Sequence, residues 1–403
     1  MRVYLLATLD TKGAEAGFAR DCLQAAGVET VLVDTGSGGA PGFAAGISRQ
    51  EVFAAAGATP AAMPDRATAV ATAARGAREL LLRAHARGDV AGVLALGGSA
   101  GTTIGCEAMR ALPLGVPKVM VSTLASGQVR HFVGDKDILM LNSIVDIAGL
   151  NPISRTVLGE AAAALAGMVR FRQPRREGAD RPLIGATMFG VTTPCVQVAR
   201  EVLEAAGYEV LVFHATGNGG QALESLIRDG LLAGVLDVTT TELADELCGG
   251  LLSAGPTRLT AAAATGTPQV VSVGALDMVN FFAPETVPAR YRDRKLHVHN
   301  ANVTLMRTTP AECAALGAEI GRKLAGCRGP AEIWLPGRGI SALDADGQPF
   351  ADPTARRELF AAIRKHAGRT PVHEVDAHLN DPAFARQLAH ALLTLIASTS
   401  RRP

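Results

Sequence analysis

The segment AGVLALGGSAGTT, residues 91–103, decides the fold class of this 403-residue chain. Its first six residues are small and apolar, which predicts a strand that is buried on both faces. A glycine-rich loop follows the strand directly and leads into a helix. This succession is typical of parallel α/β sheets, in which ligands bind at the carboxyl ends of the strands.

The same alternation of short apolar runs and helical patterns extends on both sides of this segment. Strands are predicted at 3–7, 30–33 and 118–122, and a long amphipathic helix is predicted at 67–87. Residues 37–66 are rich in Gly, Ala and Pro, and we interpret them as an excursion with one short helix at 48–56. After residue 326, two further strands and two helices are predicted to extend a second sheet.

The second half of the chain repeats the first. LQAAG at 23–27 recurs as LEAAG at 203–207, and AGVL at 91–94 recurs as AGVL at 233–236. We therefore predict an α/β protein with two tandem duplicated, Rossmann-like, doubly wound parallel-sheet domains and a cleft between them. The polar run at 173–180 is the predicted linker. It separates an ATP- or anion-binding domain, residues 1–177, from a second domain with a C-terminal extension, residues 178–403.

Composition narrows the function classes. Lys+Arg 39 against Asp+Glu 38 gives a net charge of +1, so no strong field attracts nucleic acid or a membrane surface. No apolar run is long enough for a membrane span, and no export signal is apparent. The six cysteines lack CxxC spacing and are expected to be free thiols. The predicted location is the cytoplasm.

The strongest local motif is the loop at 97–103. We expect Gly97, Gly98 and Gly101 to adopt positive φ and to turn their N–H groups toward one point, where an anion binds. Ser99 and Thr102 would add hydroxyl donors, and the following helix would point its positive end at the same place. The alternative is a tight turn in which glycines serve packing alone.

Two further loops are predicted to complete this site. Thr8, Asp10, Thr11 and Lys12 follow the first strand, where they could hold a nucleotide and its Mg²⁺, with Asp10 as the metal ligand. The alternative is a plain helix start with Asp10 or Thr11 as the N-cap. Small residues after the strand at 118–122 offer similar donors: Ser122, Ser126 and Gly127.

In the second half, three side chains suggest chemistry. His214 and Asp237 follow neighbouring predicted strands and could act as an acid/base pair, while Arg307 could orient a carboxylate substrate. The alternative is that these residues are structural. His297 and His299 would share one face of a strand, but two imidazoles without a carboxylate make a weak metal site.

Several of these strings together resemble a known family. LATLDTKG at 6–13, LGGSAGT at 96–102 and PKVMVSTLASG at 117–127 are similar to uncharacterised bacterial proteins related to the amino-terminal domain of the tomato mosaic virus resistance protein. Ser99-Ala100-Gly101 replaces the Ser-Gly-Gly typical of that loop. The resemblance implies ATP binding and a homodimer, but it implies no reaction.

Three functions remain open from the sequence. The first is an ATP-binding protein, or an ATP-dependent enzyme that acts on a small anionic metabolite. The second is an ATP-independent C–C hydrolase or transcarboxylase that uses His214, Asp237 and Arg307. The third is a non-catalytic interaction module regulated by ATP.

Overall fold

The computed structural model describes residues 1–127, 129–171 and 181–400, which form two compact units divided at residues 175 and 176. The predicted linker and the predicted boundary at 177 and 178 lie outside the described residues.

The first unit is a parallel sheet with helices on both faces. Its strands follow the order β2-β1-β3-β4-β5. Its elements in chain order are β1 (Arg2–Ala7), α1 (Leu9–Ala25), β2 (Thr30–Asp34), α2 (Arg49–Ala55), α3 (Arg66–Ala86), β3 (Val90–Gly97), α4 (Ser99–Arg110), β4 (Lys118–Ser122), α5 (Arg130–Val133), β5 (Leu139–Asn142) and α6 (Pro152–Arg170).

Every residue of β3 is buried, because one apolar cluster covers each face of the sheet. Helices α3 and α4 pack together on one face, and α1 and α6 pack together on the other. The strand order reverses between β1 and β3, and this reversal opens a crevice at the carboxyl ends of the strands. The fold therefore places the loops after β1 and β3 side by side.

The second unit contains a six-stranded parallel sheet in the order β14-β13-β9-β8-β6-β7. Its elements in chain order are β6 (Leu183–Met188), α7 (Thr193–Ala205), β7 (Glu209–His214), α8 (Asn218–Arg228), β8 (Gly234–Thr239), α9 (Glu242–Cys248), α10 (Ala261–Thr265), β9 (Gln269–Gly274), β10 (Met278–Phe281), β11 (Leu296–Asn300), β12 (Val303–Arg307), α11 (Pro310–Ala325), β13 (Ala331–Pro336), α12 (Pro353–His366), β14 (Val372–Val375) and α13 (Pro382–Ser400).

Within its sheet, the second unit has the strand order of the first, extended by one strand. The additional strand is β14, and both β13 and β14 extend the second sheet, as the sequence predicts. Helix α13 packs on α7, and its Phe384, Leu388 and Leu392 join a cluster with Ile184 and Val196. The doubly wound, duplicated α/β fold is confirmed.

Each unit also contains a segment that interrupts the alternation of parallel strands and helices. The predicted short helix is α2, which begins after a capping box formed by Ser48 and Glu51. The sequence did not predict the three-stranded antiparallel sheet β10-β12-β11, which is inserted between β9 and β13. Among the described residues, no helix is both long enough and apolar enough to cross a bilayer.

Candidate functional site

A cavity of about 630 Å³ opens at the reversal point of the first sheet. It is lined by the start of α1, the loop after β2, the start of α3 and the start of α4. Seven of the predicted ligand-binding residues line it: Thr8, Asp10, Thr11, Lys12, Gly98, Ser99 and Gly101. Three helices thus direct their positive ends toward one volume, which favours an anionic ligand.

The start of α4 is the clearest candidate for contact with an anion. The first N–H groups of a helix have no acceptor within it, and no side chain caps this helix. Ser99, Ala100 and Gly101 supply these N–H groups and all line the cavity. Met63, Val70 and Ile104 give the cavity an apolar side.

The predicted backbone conformation of this loop is wrong. Gly98 has φ −77°, and neither Gly97 nor Gly101 has a positive φ. The glycines serve close packing instead: a Cβ on Gly97 would lie 2.8 Å from the Cα of Gly101, and one on Gly101 would lie 3.0 Å from the Leu96 carbonyl oxygen. The helix end, not a left-handed turn, therefore provides the donors.

The other five predicted residues do not line the cavity. Gly97 is buried beneath the start of α4. Thr102 and Ser122 are fully buried and hydrogen-bond to each other through their hydroxyl oxygens, 2.7 Å apart. Ser126 and Gly127 are exposed beyond β4. Thr102 and Ser122 hold the loops after β3 and β4 together, which explains their positions without a ligand.

Asp10 belongs to a charged network that the sequence did not reveal. Its Oδ2 accepts the Gly38 N–H at 2.7 Å and lies 3.9 Å from Nη1 of Arg49. Arg49 Nε donates to Asp34 Oδ2 at 2.7 Å, and its Nη1 donates to the carbonyl oxygens of Gly38 and Gly39 at 3.0 and 2.8 Å. This network fixes the loop after β2 as one wall of the cavity.

The Asp10 side chain is only 8% exposed, and its Oδ1 has no partner within the described part of the chain. A buried carboxylate oxygen without a donor is a costly arrangement that a ligand can relieve. Asp10 would serve Mg²⁺ only as a single carboxylate, with phosphates and water completing the coordination. The described residues contain no cluster of three metal-ligating side chains.

Lys12 interrupts α1 with φ −132° and lines the cavity, but its Nζ donates to the carbonyl oxygen of Ile147. Glu15, one turn later, accepts the Gly149 N–H at 2.6 Å. Both side chains therefore attach the loop after β5 to α1. Neither Asp10 nor Thr11 is the N-cap, since that position belongs to Thr8.

The corresponding region of the second unit is filled by its own charged side chains. Arg258 is fully buried and donates to both oxygens of Asp237, at 2.6 and 2.7 Å, and to Glu242 at 2.6 Å. Thr187 donates its hydroxyl to Asp237 at 2.7 Å. Burial raises the pKa of Glu242, against the lowering effect of Arg258.

Glu224 occupies an anion-binding loop within the same cluster. The N–H groups of Leu259, Thr260 and Ala261 donate to its carboxylate at 2.6, 3.2 and 2.7 Å. Leu259 has φ +68°, a strained conformation for a branched residue, which turns these N–H groups toward one point. Here the protein itself supplies the anion.

The structure does not bring the predicted acid/base pair together. Met188 of β6 lies opposite His214, and Ala186 lies opposite Leu236. Because neighbours in register share a face and successive residues alternate, Asp237 lies on the opposite face from His214. Strand β6 also separates their strands, which puts the two backbones about 10 Å apart. Asp237 is held by Arg258, and His214 is exposed beside Phe189.

Arg307 is also structural in its contacts. It is 5% exposed and donates to the Phe350 carbonyl oxygen at 2.8 Å, to the Thr308 hydroxyl at 2.8 Å and to Asp344 at 3.4 Å. It ends β12 of the antiparallel sheet, whereas Asp237 lies on β8 of the parallel sheet. The predicted carboxylate clamp has no free guanidinium here.

Asp277 interacts electrostatically with Arg307 and Asp344. It accepts the Ser341 hydroxyl at 2.8 Å, and its Oδ1 has no partner within the described residues. Burial and the negative charge of Asp344 raise the pKa of Asp277 to about 7. His297 and His299 lie on β11, as predicted, but they belong to no metal-ligating cluster among the described residues.

Arg49 and Arg66 were not predicted from the sequence, and both come from the 37–66 excursion. Arg66 begins α3 and lines the cavity. Charged residues are rare in this Gly/Ala/Pro-rich stretch, and this rarity could have marked them as candidates for specific contacts. Their positions depend on the path of the excursion, which no local pattern encodes.

Comparison with known proteins agrees with the two-unit architecture. Residues 1–174 match the N-terminal domain model, and residues 181–396 the C-terminal domain model, of the uncharacterised protein family UPF0261. A UPF0261 protein of Clostridium tetani is 46% identical over 98% of this chain and 99% of its own, and UPF0261 protein RA0729 of Rhizobium meliloti is 50% identical over 95% and 96%.

The tomato protein named ToMV resistance protein Tm-1(GCR237) is 43% identical over 82% of this chain, a match that covers 45% of the tomato protein. These findings confirm the resemblance that the motifs suggested. Both halves of the chain and nearly all of its length are accounted for by one family. The chain belongs to the UPF0261 family.

Proposed function

We propose that the first unit binds ATP with Mg²⁺ in the cavity between the starts of α1, α3 and α4. The observation that carries this proposal is the uncapped start of α4, which opens into the cavity at the reversal point of the sheet. Phosphate oxygens would accept the N–H groups of Ser99, Ala100 and Gly101. A volume of about 630 Å³ falls in the usual range for ligand sites.

The polar and apolar parts of the cavity suit the parts of a nucleotide. The phosphates would lie at the start of α4, and the base would lie against Met63, Val70 and Ile104. Asp10 would accept a hydrogen bond from the ligand or from water on Mg²⁺, which would supply charge neutralisation for the phosphates. The resemblance to the ATP-binding plant domain supports the choice of ATP.

This proposal includes an ATP-dependent enzyme that acts on a small anionic molecule as its second substrate. The hydrolase alternative required His214, Asp237 and Arg307 in one crevice, and their contacts remove its support. ATP binding without release of phosphate would favour the interaction module. The homodimer, the cytoplasmic location and the cleft between domains remain predictions.

The test is isothermal calorimetry with MgATP. Gly98→Val would place a branched side chain in the cavity, whereas a Cβ at Gly98 itself meets nothing closer than 3.7 Å. We expect ATP affinity to fall at least tenfold, about 1.4 kcal/mol. Gly159→Val is the matched control, because Gly159 lies on α6 with open space around it. Equal ATP affinity in a folded Gly98→Val protein would exclude this site.

A further inference from the structure

Arg66 occupies an unusual position for a cation. It is the first residue of α3, it is exposed, and it lines the same cavity as the start of α4. Within residues 1–127, 129–171 and 181–400, its guanidinium makes no hydrogen bond and no ion pair. Its five N–H donors are therefore available to a ligand.

Helix electrostatics oppose this placement. The N-terminal end of a helix carries partial positive charge, so a cation there is unfavourable. The acidic N-cap of α3, Asp65, directs its carboxylate to the N–H and hydroxyl of Thr68 and does not pair with Arg66. By contrast, Arg83 and His85 lie in the last turn of this helix, where the dipole favours positive charge. Arg66 therefore does not serve the stability of its own helix. An anion in the cavity would reverse the sign of this interaction.

The cavity contains a second indication of a ligand. Asp10 is buried, lines the cavity and has an oxygen without a partner in the described residues. Of the two cations that line the cavity, Lys12 already donates to the Ile147 carbonyl oxygen. Arg66 is thus the cation with all its donors free.

We propose that Arg66 binds the terminal phosphate of the nucleotide and so makes the cavity select nucleotides by the number of their phosphates. This inference rests on the proposed ATP site. The N–H groups at the start of α4 would hold one phosphate group. The planar guanidinium of Arg66 would bind the terminal phosphate by two parallel hydrogen bonds. AMP would satisfy the helix end alone, whereas ATP would also reach Arg66.

The test compares the dissociation constants of ATP, ADP and AMP by calorimetry in the wild type, Arg66→Ala and Arg66→Lys. We expect Arg66→Ala to lower the ratio of ATP to AMP affinity by about tenfold, and Arg66→Lys to retain part of it. The melting temperature without ligand should stay the same or rise, because an unfavourable charge is removed. Arg78→Ala is the matched control, since Arg78 is exposed on the same helix and does not line the cavity.

The outcomes separate the two proposals. If the wild type binds ATP and the ratio is unchanged in a folded Arg66→Ala protein, Arg66 does not bind the terminal phosphate. A lower melting temperature with equal losses for all three nucleotides identifies a structural role and also overturns the inference. If the wild type binds none of the three nucleotides, the proposed function itself fails.

Discussion

The two units share a strand order, but their strand ends are filled in opposite ways. In the first unit, α4 begins with Ser99 and faces an open cavity, whereas in the second unit, α9 begins with Glu242 and faces a buried guanidinium. The same topology thus yields an open cavity in one copy and a self-occupied cluster in the other. The difference depends on whether neighbouring helices contribute carboxylates.

Glu224 and Glu242 are the carboxylates that fill the second copy. Glu242 accepts the N–H groups of Gly217 and Gly220 at the start of α8, at 2.7 and 3.0 Å. Glu224 occupies the loop at 259–261. An external phosphate would have to displace these side chains and would leave Arg258 with Asp237 as its remaining carboxylate partner. Binding in the first unit requires no such exchange.

The largest expected effect comes from breaking the buried cluster. Arg258→Ala leaves three buried carboxylates without their cation, and we expect a loss of about 3–5 kcal/mol of unfolding free energy. Denaturant unfolding measures this loss, and Arg258→Lys keeps the charge if the alanine variant does not fold.

Arg200→Ala is the control for this change, because its ion pair with Glu204 is exposed and worth little. ATP affinity should stay the same in folded Arg258 variants. A loss of ATP binding with intact folding would mean that the second unit takes part in the site.

A smaller effect is expected from removing the internal anion. Glu224→Ala leaves three donors unpaired and should cost about 3 kcal/mol. Formate can enter the vacated space and accept the same N–H groups, so it should restore part of the melting temperature.

The measurement compares formate with chloride at equal ionic strength. The wild type, whose loop is already occupied by Glu224, should respond equally to both salts. An equal response of the variant to both salts would contradict the assignment of this loop as an anion site.

The smallest effect concerns pH. Because burial raises the pKa of Asp277 from 3.8 to about 7, the folded protein holds a proton that the unfolded chain releases. Stability from this group is complete below about pH 4 and is lost as the pH rises toward 7, by at most about 1.4 kcal/mol per pH unit. Asp277→Asn should therefore be relatively more stable at pH 8 than at pH 5.

Melting curves of the wild type and Asp277→Asn at the two pH values test this expectation. Asp376→Asn is the control, since Asp376 is exposed and its pKa lies below the ordinary value. Identical pH dependence in the wild type and Asp277→Asn would show that Asp277 does not titrate in this range.

The fold could be predicted where structure is local. The strand at 118–122 and the helix after Ser48 follow from apolar runs and capping residues within a few positions. The antiparallel sheet could not be predicted as a whole: β11 and β12 form a local hairpin, but β12 also pairs with β10, which lies well before it in the chain. Burial and pairing, not residue type, decide such strands.

The site was predicted in part for the same reason. The loop after β3 was identified from its glycines and hydroxyls, but the side of the helix on which Thr102 falls turns it toward Ser122 instead of the cavity. In the second half, the alternation along β6 and β8 separates His214 from Asp237. Both outcomes depend on which face of its helix or strand a residue occupies. To predict that face, the boundaries of the element must be known to one residue.

The packing of α13 on α7 has a consequence for the order of synthesis. All five strands of the first unit lie within residues 2–142, so its sheet can close before the second half of the chain exists. The cluster around Ile184 includes Ile396, which is 6% exposed, near the end of the described chain. During translation from the amino terminus, the proposed ligand site is therefore complete before the second core can close, and the second unit must wait with Ile184 and Val196 uncovered.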